Sequence, residues 1–118
     1  MKSYQDLVGE SKARVREVSA LETQQLLRNR PAPVLIDCRE PNECALGTIP
    51  GAVVIPRGVL EQNVEQVAGR DQKVIIYCAS GNRSALAADV LQQMGYIDVA
   101  SLEDGIRGWV DAGGEIEG

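Results

Sequence analysis

The stretch from Val74 to Met94 constrains the fold of this chain more than any other part of the sequence. It opens with Val74–Tyr77, a run without polar alternation that is typical of a strand buried on both faces of a parallel sheet. Strong helix formers with apolar residues at helical spacing follow from Ser84 to Met94. The sequence therefore predicts a buried strand, a tight loop and a helix in direct succession.

The loop between this strand and this helix carries a thiol, Cys78, at one end and a guanidinium, Arg83, at the other. In a strand–loop–helix unit the loop amides and the positive end of the helix dipole point at one small volume. Gly81 can adopt a positive φ, so that successive amides turn inward and hold an anion. Amides and a guanidinium stabilise a thiolate, and we therefore predict that Cys78 is a nucleophile. The alternative is an ordinary buried cysteine at the end of a strand.

The amino-acid composition argues against several other kinds of functional site. The chain has no histidine, which excludes Ser-His-Asp and Cys-His catalysis and the common histidine-containing metal sites. Its cysteines, Cys38, Cys44 and Cys78, are odd in number and form no C-x-x-C pair, which argues against a disulfide scaffold or a zinc site. A net charge of −5 argues against nucleic-acid binding. The expected site therefore contains no metal and no cofactor.

The chain as a whole alternates strand patterns with helix patterns, and 118 residues suffice for one domain with a real core. We predict an α/β fold in which a central five-stranded parallel sheet has helices on both faces. Residues 15–118 are assigned to this domain, and residues 1–14 to an N-terminal extension that is a weak helix or a loose arm. The predicted strands are Val15–Val18, Val34–Asp37, Ala52–Ile55, Val74–Tyr77 and Ile97–Ser101. Of these, Ala52–Ile55 and Val74–Tyr77 are predicted to be buried, whereas Val15–Val18 alternates apolar and charged residues.

Four stretches resemble, in the same order, the motifs of the rhodanese family. They are D-x-R-E-P-x-E at Asp37–Glu43, G-H-I-P-G-A with I-P at Gly47–Pro56, C-x-x-G-x-R-S at Cys78–Ser84, and L-x-G-G…W…G at Leu102–Gly113. Two positions depart from the pattern, because Thr48 replaces the usual histidine and Asp104 replaces the first glycine of the last motif. The first departure leaves the loop with the thiol untouched, and the second is a minor one. The resemblance implies a single-domain protein with the three-layer rhodanese-like fold.

The resemblance also implies an activity, thiosulfate sulfurtransfer. Cys78 would attack the terminal sulfur of thiosulfate or a related donor, expel sulfite and carry the sulfur as a persulfide. Cyanide or a thiol would then accept that sulfur. Arg83 would bind the donor's anionic end or stabilise charge on the loop. The substrate-binding residues implied in this loop are Ala79, Ser80, Gly81, Asn82 and Ser84.

Asp37 ends the second predicted strand, and Arg39 and Glu40 follow it, at the sheet edge where ligands of parallel sheets gather. They could line the pocket, but a paired carboxylate and guanidinium commonly fix loops, and we favour that structural role. Cys38, beside them, is interpreted as a packing residue in preference to a second reactive thiol.

Two alternatives remain beside sulfur transfer. A cysteine-dependent phosphatase or arsenate reductase also needs a thiolate in an anion nest, but its signature places five residues between cysteine and arginine, whereas four separate Cys78 from Arg83 here. The shorter loop favours a sulfur atom over a tetrahedral phosphate. The other alternative is a rhodanese-like module that binds partners or senses redox state without turnover.

The partners expected from this interpretation are a small anionic sulfur donor and a thiol or protein acceptor, with no nucleic acid and no membrane. The N-terminal residues show no signal-peptide pattern, and no apolar run is long enough to span a membrane. We therefore predict a cytoplasmic protein.

Overall fold

The structure is a computed structural model that describes all 118 residues. Its strands are β1 (Arg16–Val18), β2 (Val34–Asp37), β3 (Val53–Val54), β4 (Val74–Tyr77) and β5 (Val99–Leu102). Its α-helices are α1 (Tyr4–Arg14), α2 (Ala20–Leu26), α3 (Pro41–Cys44), α4 (Leu60–Asn63), α5 (Asn82–Gln93) and α6 (Gly105–Asp111). Two 3₁₀ turns, Arg57–Val59 and Val64–Gln66, flank α4.

The five strands form one parallel sheet in the order β1-β5-β4-β2-β3. The central strand is β4, whose four residues are all buried, as its unbroken apolar sequence predicts. The predicted α/β architecture is therefore confirmed. Since every strand points the same way, the segments that follow β2 and β4 meet at one edge of the sheet.

Side chains of β4 alternate between two apolar layers, one on each face of the sheet. Val74 and Ile76 join the layer beneath α5, where Leu91 is fully buried. Ile75 and Tyr77 join the opposite layer with Trp109 of α6, which is 6% exposed. Trp109 is thus a core residue, and the sheet separates two helical layers.

Several element boundaries differ from those predicted. The prediction of a buried strand over Ala52–Ile55 is wrong, because β3 contains only Val53 and Val54, which are 39% and 40% exposed. This strand lies at the sheet edge and has a neighbour on one side only. The last strand is displaced toward the C-terminus, since β5 begins at Val99 and Ile97 is 78% exposed.

A third difference concerns the central helix α5, which begins at Asn82 and not at Ser84. Gly81 precedes it with φ 102°, a conformation that a glycine adopts without a steric penalty. The helix therefore starts earlier, and Asn82, Arg83 and Ser84 all lie in its first turn.

The N-terminal segment forms the helix α1, which packs along α5. Its start is a reciprocal capping box between Ser3 and Asp6. Ser11 donates to the buried Asp89 carboxylate of α5 at 3.0 Å, and the Arg14 guanidinium binds the same carboxylate at 2.6 Å. This contact is polar, so it leaves little trace in a hydrophobic pattern. None of the helices combines the length and the apolar character needed to cross a membrane.

Candidate active site

The Cys78 side chain lies at the carboxyl end of β4 and is almost completely buried, with 1% exposed. Its sulfur accepts hydrogen bonds from the Gly81 amide at 3.1 Å and from the Ser84 amide at 3.4 Å. The Ser84 hydroxyl oxygen lies 3.5 Å from the same sulfur. The loop therefore surrounds the thiol with donors at the start of α5, as the strand–loop–helix pattern predicts.

These contacts decide the ionisation of the thiol. Burial raises the pKa of Cys78, but the Ser84 hydroxyl and the amides of Ser84, Gly81 and Ser80 together lower it by more. The resulting pKa lies below the ordinary thiol value. A buried sulfur whose contacts favour the thiolate is suited to nucleophilic attack on a ligand that enters the loop.

Ser101 of β5 supports this arrangement and was not singled out from the sequence. Its hydroxyl oxygen lies 2.8 Å from that of Ser84, and both side chains are fully buried. Ser101 can donate to Ser84, which leaves the Ser84 proton free to point at the Cys78 sulfur. The signal in the sequence is a serine inside an otherwise apolar strand that neighbours β4.

Arg83 does not extend freely over the loop. Its two terminal nitrogens bind the two carboxylate oxygens of Glu43 at 2.8 and 2.9 Å. The Arg83 guanidinium lowers the pKa of Glu43 to about 2, although partial burial opposes the shift. Glu43 also accepts from the Glu40 amide at 2.9 Å in a capping box that starts α3. The structure thus joins the arginine of the loop to the D-x-R-E-P-x-E segment.

Asp37 and Arg39 form a buried ion pair whose closest nitrogen–oxygen distance is 2.8 Å. Arg39 also donates to the Gly47 carbonyl at 2.7 Å, and Asp37 accepts from the Arg39 amide. These contacts connect the segments after β2 and before β3. The Glu40 side chain is exposed at the start of α3, and it lines neither of the clefts described below.

The loop is attached to the start of α6 through its own carbonyl groups. Ile106 donates its amide to the Cys78 carbonyl at 2.9 Å, and Arg107 donates its amide to the Ala79 carbonyl at 3.3 Å. A Cβ atom on Gly105 would overlap the backbone of Cys78 and Ala79, so only glycine allows this approach.

Two clefts of about 570 Å³ each border the loop. One includes Ala79, and the other includes Ser80. Arg107 and Asp111 of α6 line both clefts. A third and smaller cleft, about 330 Å³, lies beside Trp109 and contains no residue of the loop.

The other two cysteines differ from Cys78 in their surroundings. Cys38 is fully buried at the end of β2, and burial, with a smaller effect of Cys78, raises its pKa to about 12. Cys44 is half-buried in α3, and burial likewise raises its pKa. Only at Cys78 do the surrounding groups outweigh burial and lower the pKa of the thiol.

Comparison with known proteins places the chain in a family. The model of the rhodanese-like domain matches residues 19–112. A sulfurtransferase of Allochromatium vinosum is 35% identical over 99 residues, which cover 84% of this chain and 92% of that protein. The chain therefore belongs to the rhodanese-like domain family, and its relatives include sulfurtransferases.

Solved structures share the fold over nearly the whole chain. A Rhodopseudomonas palustris protein of unknown function, described as a possible tyrosine phosphatase, has a TM-score of 0.88 and 32% identity. The match covers 99% of this chain and 96% of that one, so it includes the segment of α1. The polysulfide-sulfur transferase homodimer of Wolinella succinogenes has a TM-score of 0.83 and 25% identity, covering 97% and 86% of the two chains.

Proposed function

We propose that this protein is a sulfurtransferase that carries a sulfane sulfur on Cys78. The observation that supports this proposal is the set of polar groups around one buried sulfur: the amides of Gly81 and Ser84 donate to it, and the Ser84 hydroxyl lies 3.5 Å away, where it can donate once the thiol has lost its proton. Such a loop stabilises the attacking thiolate and, after transfer, a negatively charged outer sulfur near the same amides. Its relationship to sulfurtransferases supports the same chemistry.

The reaction consists of two displacements with thiosulfate as the donor. The Cys78 thiolate attacks the terminal sulfur, a new sulfur–sulfur bond forms, and the donor's own sulfur–sulfur bond breaks. Sulfite leaves with the electron pair, and Cys78 carries a persulfide anion. A cyanide ion or a thiolate then attacks the outer sulfur, so that the persulfide bond breaks and the Cys78 thiolate returns. No external oxidant or reductant takes part.

Several residues of the loop together hold this persulfide. Gly81 supplies the turn, and the backbone from Ala79 to Ser84 supplies the donors. Since Arg83 is paired with Glu43, its contribution to the site is to hold the loop and to add positive field near Cys78. The spacing of four residues between Cys78 and Arg83 supports a sulfur ligand over a phosphate.

The test is the intact mass of the protein after treatment with thiosulfate and removal of excess reagent. We expect wild type to gain one sulfur atom, Cys78→Ala to gain none, and Cys44→Ala to behave like wild type. Cyanide should then remove the added sulfur and yield thiocyanate. A gain that persists in Cys78→Ala would contradict the assignment of the nucleophile.

Wild type that gains no sulfur from thiosulfate or from polysulfide would contradict the proposed function. That result would favour the rhodanese-like module without turnover, and a phosphatase assay would be the next measurement. The nature of the acceptor, a thiol or a protein, and the cytoplasmic location stay predictions from the sequence.

A further inference from the structure

The positive charges of this protein are mostly paired. Of the 12 lysine and arginine side chains, eight lie within 4.0 Å of a carboxylate, and Arg83 is one of them. The four without such a partner are Lys12, Arg28, Arg30 and Arg107. An anionic donor approaching the loop therefore meets few cations whose charge is not already balanced.

Arg107 alone among these four lines a cleft that borders the catalytic loop. Its exposed side chain contributes to both clefts, beside Ala79 in one and beside Ser80 in the other. Its backbone is fixed to the loop, because its amide donates to the Ala79 carbonyl. The neighbouring Gly108, which has no side chain, also lines the cleft beside Ser80.

Three carboxylates lie around the same clefts. Asp104 immediately precedes α6, three residues before Arg107, and Asp111 ends the helix, four residues after it; both are exposed. Neither lies within ion-pair distance of Arg107, and Glu43 is bound to Arg83. Asp111 lines both clefts, so its charge opposes an incoming anion that Arg107 attracts.

We propose that Arg107 binds the anionic group of the sulfur donor at the mouth of the site and thereby sets the preference for donor charge. This inference rests on the proposed sulfurtransferase function. Arg83 and its Glu43 partner then hold the loop, and Arg107 attracts the sulfonate end of thiosulfate while the terminal sulfur enters beside Cys78. A guanidinium is suited to this task, since its planar fork matches an oxyanion.

The test compares steady-state kinetics of three variants with thiosulfate as donor and cyanide as acceptor. Arg107→Gln should raise the KM for thiosulfate about three- to tenfold with kcat changed less than about twofold, as expected for an exposed charge that only binds. Asp111→Asn should lower the same KM, because it removes the opposing charge. Arg28→Gln, a change of the same kind in the cleft beside Trp109, should leave both constants unchanged.

Donor charge provides a second measurement. Methanethiosulfonate is a monoanion with the same terminal sulfur, and its attack by Cys78 releases methanesulfinate in place of sulfite. The effect of Arg107→Gln on KM should be smaller for this donor than for thiosulfate, which is a dianion. Added salt should raise the wild-type KM for thiosulfate toward that of the variant, since screening weakens exposed charges.

The outcomes separate this inference from the proposed function. An active wild type with an unchanged KM in Arg107→Gln would overturn the role of Arg107 and leave the Cys78 mechanism standing. A fall in kcat at constant KM would also overturn it, because that pattern indicates a disturbed loop. A wild type without a persulfide would overturn the sulfurtransferase function itself.

Discussion

Replacement of Ser84 by alanine removes the side-chain hydroxyl that lies within hydrogen-bond distance of the Cys78 sulfur. The Ser84 oxygen lies 3.5 Å from the Cys78 sulfur, and its proton stabilises the thiolate, not the thiol. Hydrogen bonds to charged groups contribute about 1.5–3 kcal/mol, and the long distance indicates the lower end. A free-energy difference of about 1.4 kcal/mol corresponds to a factor of ten in an equilibrium constant. The fraction of Cys78 present as thiolate should therefore fall about tenfold at pH values below the pKa of the thiol.

The assay is the rate of Cys78 alkylation by iodoacetamide against pH, followed by mass so that each cysteine is resolved. The Ser84→Ala profile should move to higher pH, about tenfold slower on its acidic limb and equal to wild type where the thiol is fully ionised. Ser80→Ala is the matched control, because the exposed Ser80 contributes an amide that the substitution retains. Its profile should not move.

Ser84→Ala also leaves the buried Ser101 hydroxyl without its partner, which could disturb the fold. The double variant Ser84→Ala with Ser101→Ala removes both hydroxyls and should show the same displaced profile. If both variants fold and their profiles coincide with that of wild type, the hydroxyl does not stabilise the thiolate and the reasoning is refuted.

Two further predictions concern stability and charge. Gly105→Ala should lower the free energy of unfolding by about 3–5 kcal/mol in urea titrations, because it adds a clash with the Cys78 backbone to the cost of a positive φ. Gly113→Ala, where the φ is positive but the space is open, should cost about 1–2 kcal/mol; equal losses would contradict the clash. The carboxyl carbon of Glu43 should titrate in NMR with a pKa of about 2, and that pKa should return toward 4.5 in Arg83→Gln. Because the folded-state pKa is depressed, this pair stabilises the fold above pH 4.5, and the stabilisation is lost as the pH falls toward 2. A wild-type midpoint near 4.5 would show that the ion pair does not form in solution.

The central unit of the fold was predictable because its signals are local. Val74–Tyr77 is apolar without alternation, and the residues after Gly81 have helical spacing, so strand, loop and helix follow from neighbouring residues. The position of Cys78 among the loop amides then results from the direction of a parallel strand and the following helix. The α/β class follows from the repeated alternation of such units.

Contacts between distant segments could not be predicted in the same way. Glu43 and Arg83 are 40 residues apart, and either side chain alone resembles an ordinary surface charge. The packing of α1 depends on Ser11 and Arg14 meeting Asp89, and polar contacts of this kind carry no hydrophobic periodicity. The exposure of β3 could not be predicted either, because a run of valines does not reveal that its strand lies at an edge of the sheet.

The attachment of the loop that carries Cys78 to α6 restricts how this site can change during evolution or engineering. Cys78 and Ala79 are bound through their carbonyls to the first turn of α6, and a Cβ on Gly81 would already lie 3.2 Å from the Asp104 amide. An inserted residue would therefore push against a helix that is anchored in the core by Trp109. Enlarging the loop to admit a tetrahedral oxyanion requires α6 to be repositioned together with it. The loop and this helix therefore have to change together.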